Sequence, residues 1–274
     1  MGERPRVWKT EGIVLRRRNI GEADSIFTIY ADREGKFDAI AKGVRKVRSH
    51  MRGHIEPLMR TRVMLAQGRT LDVLTQAEVV QAYRNIREDL SRGADAMYCA
   101  ELVDRFTIEH GHNPGVFGWL AAVLDALEAG SPHHVLRQFE LQMLALAGYE
   151  LQLDGCGLCG ARLPEEETLF STSAGGLLCV QCRPSGGTGR MLTVRAVKVM
   201  RFARVAGCAE FAALRVSPDL DAELRAALGS MVHAVLERQP LTERYVDEIA
   251  ALDRRTFTVE APTGVQFTAT NPGP

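Results

Sequence analysis

Two C-x-x-C pairs are the residues of this chain best suited to chemistry. Cys156 and Cys159 form the first, Cys179 and Cys182 the second, with 19 residues between them. A C-x-x-C turn places two sulfurs on one side of a tight bend, and glycines at Gly155, Gly157 and Gly160 ease the bend around the first pair. Two such turns brought together offer Zn²⁺ four thiolates at about 2.3 Å, and the separation lies within the range read as a tetrahedral zinc site. When protein fills all four positions no vacancy is left for water or substrate, so one structural Zn²⁺ is the expectation rather than a catalytic one. A redox pair would want its C-x-x-C opening a helix in a βαβ unit, and no such unit is evident. Cys99 and Cys208 lie in apolar helical contexts, where a thiol serves as a small hydrophobe.

A second group of residues carries charge instead of reactivity. The chain is neutral overall, with 34 Lys+Arg against 34 Asp+Glu, but the first 80 residues hold 16 basic against 10 acidic side chains. A basic head on an acidic body marks the head as the place where a polyanion would bind. Between Asp38 and Glu56 there is no acid at all, while Lys42, Arg45, Lys46, Arg48 and Arg52 stand together with His50 and His54. Gly43 and Gly53 bound this window, which has little to bury and is expected to be a mobile loop. Such a loop on a small barrel makes an electrostatic groove for a nucleic-acid backbone. Arg16, Arg17 and Arg18 add charge at the end of the first strand. Trp8, Phe27, Tyr30 and Phe37 are the aromatics available for base stacking, although in a barrel such residues are more often core.

The elements that must position these groups follow from periodicity. "VWKTEGIVL", "SIFTIYA", "KFDAIAKG", "TRVMLAQ" and "TLDVLTQAEVV" are β-branched and apolar runs separated by turn residues. In the second, Ile26, Thr28 and Tyr30 fall on one face and Phe27 and Ile29 on the other. Five strands in about 75 residues predict a small closed barrel, with an SH3-like barrel fitting the count equally well. After about Tyr83 apolar residues take helical spacing. One helix covers "GADAMYCAELVDRF", a second "PGVFGWLAAVLDALEAG", and a third starts with Ser131 as cap and Pro132 as first residue, ending at Gly148. A Gly/Cys-rich interlude runs to about Arg190, and helices resume in "TVRAVKVMRFARVA" and "DLDAELRAALGSMVHAVLERQ". The final 15 residues have little to bury and are expected to fray. The order predicts an α+β chain.

Several function classes are disfavoured. There is no G-x-x-x-x-G-K-[ST] loop for ATP and no G-x-S-x-G nucleophile elbow. His110, His112, His133 and His134 read as surface or capping residues rather than ligands. No apolar run reaches the roughly 18 residues of a membrane span, and the charged "MGERPRVWKTEG" is no signal peptide. A non-enzymatic protein of the cytosol, in a reducing compartment without disulfides, is the expectation.

"EGIVLRRRNIGEADSIFTIYADREGKFDAIAKGVRKVRS" resembles the N-terminal signature of the bacterial RecO recombination-mediator family. The matching elements are Gly21-Glu22-x-Asp24, the Gly35 turn, and Lys42-Gly43-x-Arg45 followed by basic residues and Ser49. "LRQFELQMLALAGYELQLDGCGLCG" and "FSTSAGGLLCVQC" are similar to the helix leading into that family's zinc module and to its closing strand. Val44 and Val47 depart from the alanine and proline usual at their positions. The resemblance implies an N-terminal OB-fold over residues 1–81, a helical domain over 82–274, and a zinc module inserted at about 152–190. It also implies a non-enzymatic activity: binding single- and double-stranded DNA, annealing complementary strands and, with RecR, promoting RecA loading on DNA coated by single-strand-binding protein.

On that reading Lys42, Arg45, Lys46, Arg48 and Arg52 are the expected phosphate contacts, with Arg16, Arg18, Arg33 and Lys36 as outer members. The acidic tail of single-strand-binding protein would want an apolar pocket rimmed by Arg, and Arg137 is the candidate. A zinc-ribbon factor of transcription or translation, its barrel binding RNA or protein, is the rival reading.

Overall fold

Short runs of β-branched and aromatic residues recur through the first 81 positions, and in a computed structural model, which describes residues 6–256, they form five strands. These are β1 (Val7–Ile20), β2 (Asp24–Ala31), β3 (Gly35–Ala41), β4 (Arg60–Ala66) and β5 (Asp72–Gln81). β1 is long enough to serve two partners, pairing with β4 through Val7–Ile13 and with β2 from Gly12 onward. A Cβ on Gly12, where the two pairings overlap, would stand 2.5 Å from Ile29 Cγ2, so only glycine lets the strands pass this closely. β3 and β5 meet in parallel and close the barrel in the order β1-β2-β3-β5-β4. That Greek-key closure is the OB-fold, which settles the choice that strand count alone left open.

Both faces of β2 are buried, for different reasons. Phe27, Ile29 and Ala31 fill the barrel with Val14, Phe37, Val63, Leu65 and Leu74. Tyr30, on the opposite face, packs against helices, and its hydroxyl donates to the Asn113 carbonyl at 3.1 Å. The β2–β3 turn is the joint. Gly35 has φ +67°, and a Cβ there would lie 2.1 Å from the Gly111 carbonyl oxygen. Both the left-handed backbone and the close approach exclude a side chain.

The remainder is helical: α1 (Arg84–Glu88), α2 (Leu90–Phe106), α3 (Pro114–Glu128), α4 (Val135–Leu146), α5 (Val194–Val205), α6 (Cys208–Ala212), α7 (Pro218–Leu236) and α8 (Leu241–Thr256). Asn113 and Ser217 cap α3 and α7 with proline at the first helical position, and the stripe Leu220, Leu224, Leu228 and Met231 of α7 is buried. α4 begins three residues later than Ser131 and Pro132 predict. Residues 132–134 instead make a tight turn, Val135 N–H bonding to Pro132 O, because the His134 ring is buried with Nε2 3.2 Å from Phe211 O. α8, which the sequence reading did not identify, is held at its start by Glu101 of α2. That carboxylate accepts from the Leu241 and Thr242 amides at 2.9 and 2.7 Å. The predicted frayed tail, residues 260–274, lies outside the described residues.

Between α4 and α5 the chain leaves the helices for a three-stranded sheet of order β7-β6-β8, made of β6 (Thr168–Ser171), β7 (Gly176–Leu178) and β8 (Gly189–Leu192). It is not a loose appendage. Leu151, Leu153, Leu163, Phe170, Leu177, Leu178 and Leu192 belong to the core that also contains α2–α4 and α7. Each such side chain, fully buried, contributes about 1.5–3 kcal/mol.

Candidate metal centre and nucleic-acid interface

The two cysteine turns meet beside β7, at the edge of this small sheet. In the first, Gly160 N–H bonds to Cys156 O at 2.8 Å, closing the turn, and Gly160 takes φ +72° to leave it. Cys156 N–H reaches Ala161 O at 2.9 Å and Gly157 N–H reaches Leu177 O at 2.8 Å, anchoring the turn to β7. The second turn follows β7 directly and is closed by Cys182 N–H to Cys179 O at 3.1 Å. The four Sγ atoms of Cys156, Cys159, Cys179 and Cys182 all lie within 4.8 Å of one another, and Cys159 and Cys179 are 3.7 Å apart. A tetrahedron with metal–sulfur bonds of about 2.3 Å has edges of about 3.8 Å, so the four sulfurs are at metal-binding distance.

The electrostatics also suit thiolates. Burial pushes the Cys156 thiol up, but the backbone amides of Cys159, Cys179 and Leu158 bring it down to about 6. Cys182 is pushed the other way by the neighbouring sulfurs, chiefly Cys159 and then Cys179, which hold its proton in hydrogen bonds. Four thiols this close share protons as one cluster, and a divalent cation would displace them. Cys99 and Cys208 are elsewhere, each with its thiol pushed up by burial, and Cys208 Sγ lies 3.6 Å from Ala122 O.

The basic segment between β3 and β4 is folded as a chain of turns, not as the free loop its composition suggests. Val44 and Ile55 are buried in the barrel core, and Gly43 N–H donates to Asp24 Oδ1 at 2.7 Å. Successive backbone bonds run from Lys46, Ser49, Arg52 and His54 amides to carbonyls three residues earlier. The cations are therefore displayed on a shaped surface. Lys42, Lys46, Arg48 and Arg52 are exposed and, among the described residues, meet no carboxylate within ion-pair distance. Arg45 is exposed too and donates to the Gly21 carbonyl at 3.0 Å, tying the segment to the β1–β2 turn.

The outer cations behave differently. Arg16 and Lys36 both pair with Asp104 of α2, at 2.9 and 3.1 Å, and Lys36 is only 14% exposed. They join the barrel to the helices instead of extending the cationic surface. Arg18 pairs with Asp38 at 3.2 Å, and Arg17 with Glu56 at 2.8 Å. Arg33 is exposed, but it lies in the β2–β3 turn, at the opposite end of β3 from Lys42. Seven strand residues at about 3.3 Å each separate the two by roughly 20 Å.

Arg137 is a correction. It is 2% exposed, pairs with Glu140 at 3.0 Å and faces Asp221 at 3.7 Å, so its guanidinium is spent on carboxylates inside the helical body instead of standing at the surface. Of the histidines, His110 and His112 are exposed as expected, whereas His134 is buried and His133 Nδ1 lies 2.6 Å from Asp95 in a partly buried pair. Phe27, Tyr30 and Phe37 are core, and Trp8 is spent on an edge-to-face contact with Phe37 and a 2.9 Å bond to Asp72. Sequence reading passed over Lys9 and Arg62, which flank a cavity of about 300 Å³ between the basic segment and β4–β5. Lys9 lies on β1, far before the segment, and Arg62 on β4 beyond Glu56, so both fall outside the acid-free window.

An OB-fold barrel with an uncovered cationic segment, docked on a helical body that carries an inserted four-thiolate module, defines a two-part architecture with one cationic end. Residues 6–83 match the family model described as Recombination protein O N terminal, and residues 87–244 the one described as Recombination protein O C terminal. The chain belongs to the RecO family. Among its relatives, a DNA repair protein RecO of Roseiflexus sp. (strain RS-1) is 36% identical over 97% of this chain and 93% of its own length. One from Dehalococcoides mccartyi (strain CBDB1) is 32% identical over 91% and 99%, and one from Anaeromyxobacter sp. (strain K) 36% identical over 89% and 97%.

Proposed function

We propose that this protein is a non-enzymatic DNA repair and recombination mediator of the bacterial cytosol. It binds single- and double-stranded DNA, anneals complementary strands, and with RecR promotes RecA loading on DNA covered by single-strand-binding protein. The observation that carries the reading is the set of exposed, uncompensated cations at 42–52 on a closed OB-fold barrel. Family membership supports the rest. In this reading residues 1–81 are the nucleic-acid-binding domain, and residues 82–274 the body that carries the zinc module at about 152–190.

The chemistry needed is modest. Two strands repel through their phosphates, and a cationic surface lowers that repulsion while releasing condensed counterions. Lys42, Arg45, Lys46, Arg48 and Arg52 are the phosphate contacts, with Arg18 beside them. Arg16 and Lys36 hold the barrel at a fixed attitude to the helices. A Zn²⁺ on Cys156, Cys159, Cys179 and Cys182 would clamp the two cysteine turns, a structural role that follows from four protein ligands. The described helices include none long and apolar enough to cross a membrane.

The test is annealing of naked complementary oligonucleotides without any nucleotide cofactor. Acceleration that falls steeply with salt is expected. Unchanged annealing together with tight binding to RNA or to an isolated protein partner would favour the rival reading.

A further inference from the structure

Where a base would go is answered by the cavity between the basic segment and the β4–β5 hairpin. It has a volume of about 300 Å³ and mixed character. His50 and Met51 form one wall, Met64 of β4 part of the other, and Thr75 and Gln76 of β5 line it with polar atoms. Thr75 Oγ1 already donates to the Met64 carbonyl at 2.9 Å, which leaves its lone pairs to accept. The Gln76 side chain is exposed and has both amide donors and its acceptor available. This volume sits at the lower end of the range of about 300–1,000 Å³ for small-ligand sites.

We infer that this cavity is a subsite for an unstacked nucleobase of single-stranded DNA. The inference rests on the DNA-binding reading above and adds a base contact to it. Three features select a base over other flat molecules. An imidazole and two thioethers supply polarizable walls for a π-face. A carboxamide and a hydroxyl supply donors and acceptors for a base edge. Cations then stand where the flanking phosphates must be: Lys9 lines the cavity, and Arg48 and Arg52 are two residues either side of His50, at most about 7 Å along the chain. Arg62 also lines it, but is occupied by Glu11 and Glu78 at 3.3 and 3.5 Å. Phe27, Tyr30 and Phe37 are buried and the half-buried Trp8 is occupied by Phe37 and Asp72, so His50 is the aromatic ring that the cavity lining offers.

Affinity for a natural oligonucleotide and for an abasic one of the same length separates base from phosphate contacts. The wild-type protein is expected to bind the abasic strand about tenfold more weakly. His50→Ala with Gln76→Ala is expected to lose about tenfold on the natural strand and nothing on the abasic strand, with the salt slope unchanged. Both side chains are exposed, so the variant keeps its fold, which thermal melting verifies. Equal wild-type affinity for the two strands, or equal losses on both, overturns the base subsite while leaving the DNA-binding reading intact. No measurable affinity for either strand overturns both.

Discussion

Reversing Arg45→Glu, Lys46→Glu and Arg48→Glu together is expected to weaken single-stranded DNA binding by about 1,000-fold or more. The estimate follows from three charge-assisted contacts at about 1.5 kcal/mol each, before the added repulsion is counted. The slope of log affinity against log salt should fall by about 2, at 0.7 per lost phosphate contact on single strands. Stability should hardly change, because the three side chains are exposed and only Arg45 makes a protein hydrogen bond, to an equally exposed turn. Arg33→Glu is the internal control. It makes one such charge reversal instead of three but sits at the far end of β3, and its effect should stay within about twofold of wild type. Titration of a labelled oligonucleotide over a salt series reads both numbers. Intact affinity in the triple variant would refute the assignment of the segment.

The second large effect concerns the metal. Elemental analysis is expected to give one zinc per chain, and Cys156→Ser with Cys182→Ser to abolish it. The module shares its apolar side chains with the helical core, so losing the clamp should disturb more than a surface appendage. Loss of a structural metal belongs among the few changes that cost about 4 kcal/mol or more. At 2–4 °C per kcal/mol for a chain of this size, Tm should fall on the order of 10 °C. Freed Phe170, Leu177 and Leu178 should also bind a hydrophobic dye. Because thiols must lose their protons to bind, metal retention should weaken as pH falls, and chelation should act faster in acid. A metal-free protein with the same Tm would contradict the structural role. Annealing tested on the metal-free form then shows whether the clamp matters to DNA, since the cationic segment belongs to a separate barrel core.

What could be read from the sequence depended on how far apart the partners lie. Alternation along β2 separated Phe27 and Ile29 from Ile26, Thr28 and Tyr30, the pair that the structure puts in the barrel interior, and the cysteine spacing encoded its own geometry. The apolar periodicity of "PGVFGWLAAVLDALEAG" and "DLDAELRAALGSMVHAVLERQ" is a local signal as well, and α3 and α7 cover these runs. The late start of α4 was invisible, because it depends on His134 meeting Phe211, 77 residues away. Arg137 illustrates the same gap. Helical periodicity cannot distinguish an exposed arginine from one neutralised by Glu140 and by Asp221 of another helix. Arg16 and Lys36 looked like free charges because Asp104, which takes both, lies on α2 far along the chain. The parallel β3–β5 contact, which distinguishes the OB-fold from other small barrels, likewise joins strands that are not consecutive.

The central claim is that DNA lies against the 42–54 segment of the barrel, and a crosslinking map on single-stranded DNA tests it most directly. With photoreactive bases placed along an oligonucleotide, crosslinked peptides should cluster at residues 42–54 and on the adjoining strands β4 and β5. Crosslinks confined to the helical body or the cysteine module, with the segment bare, would contradict the account.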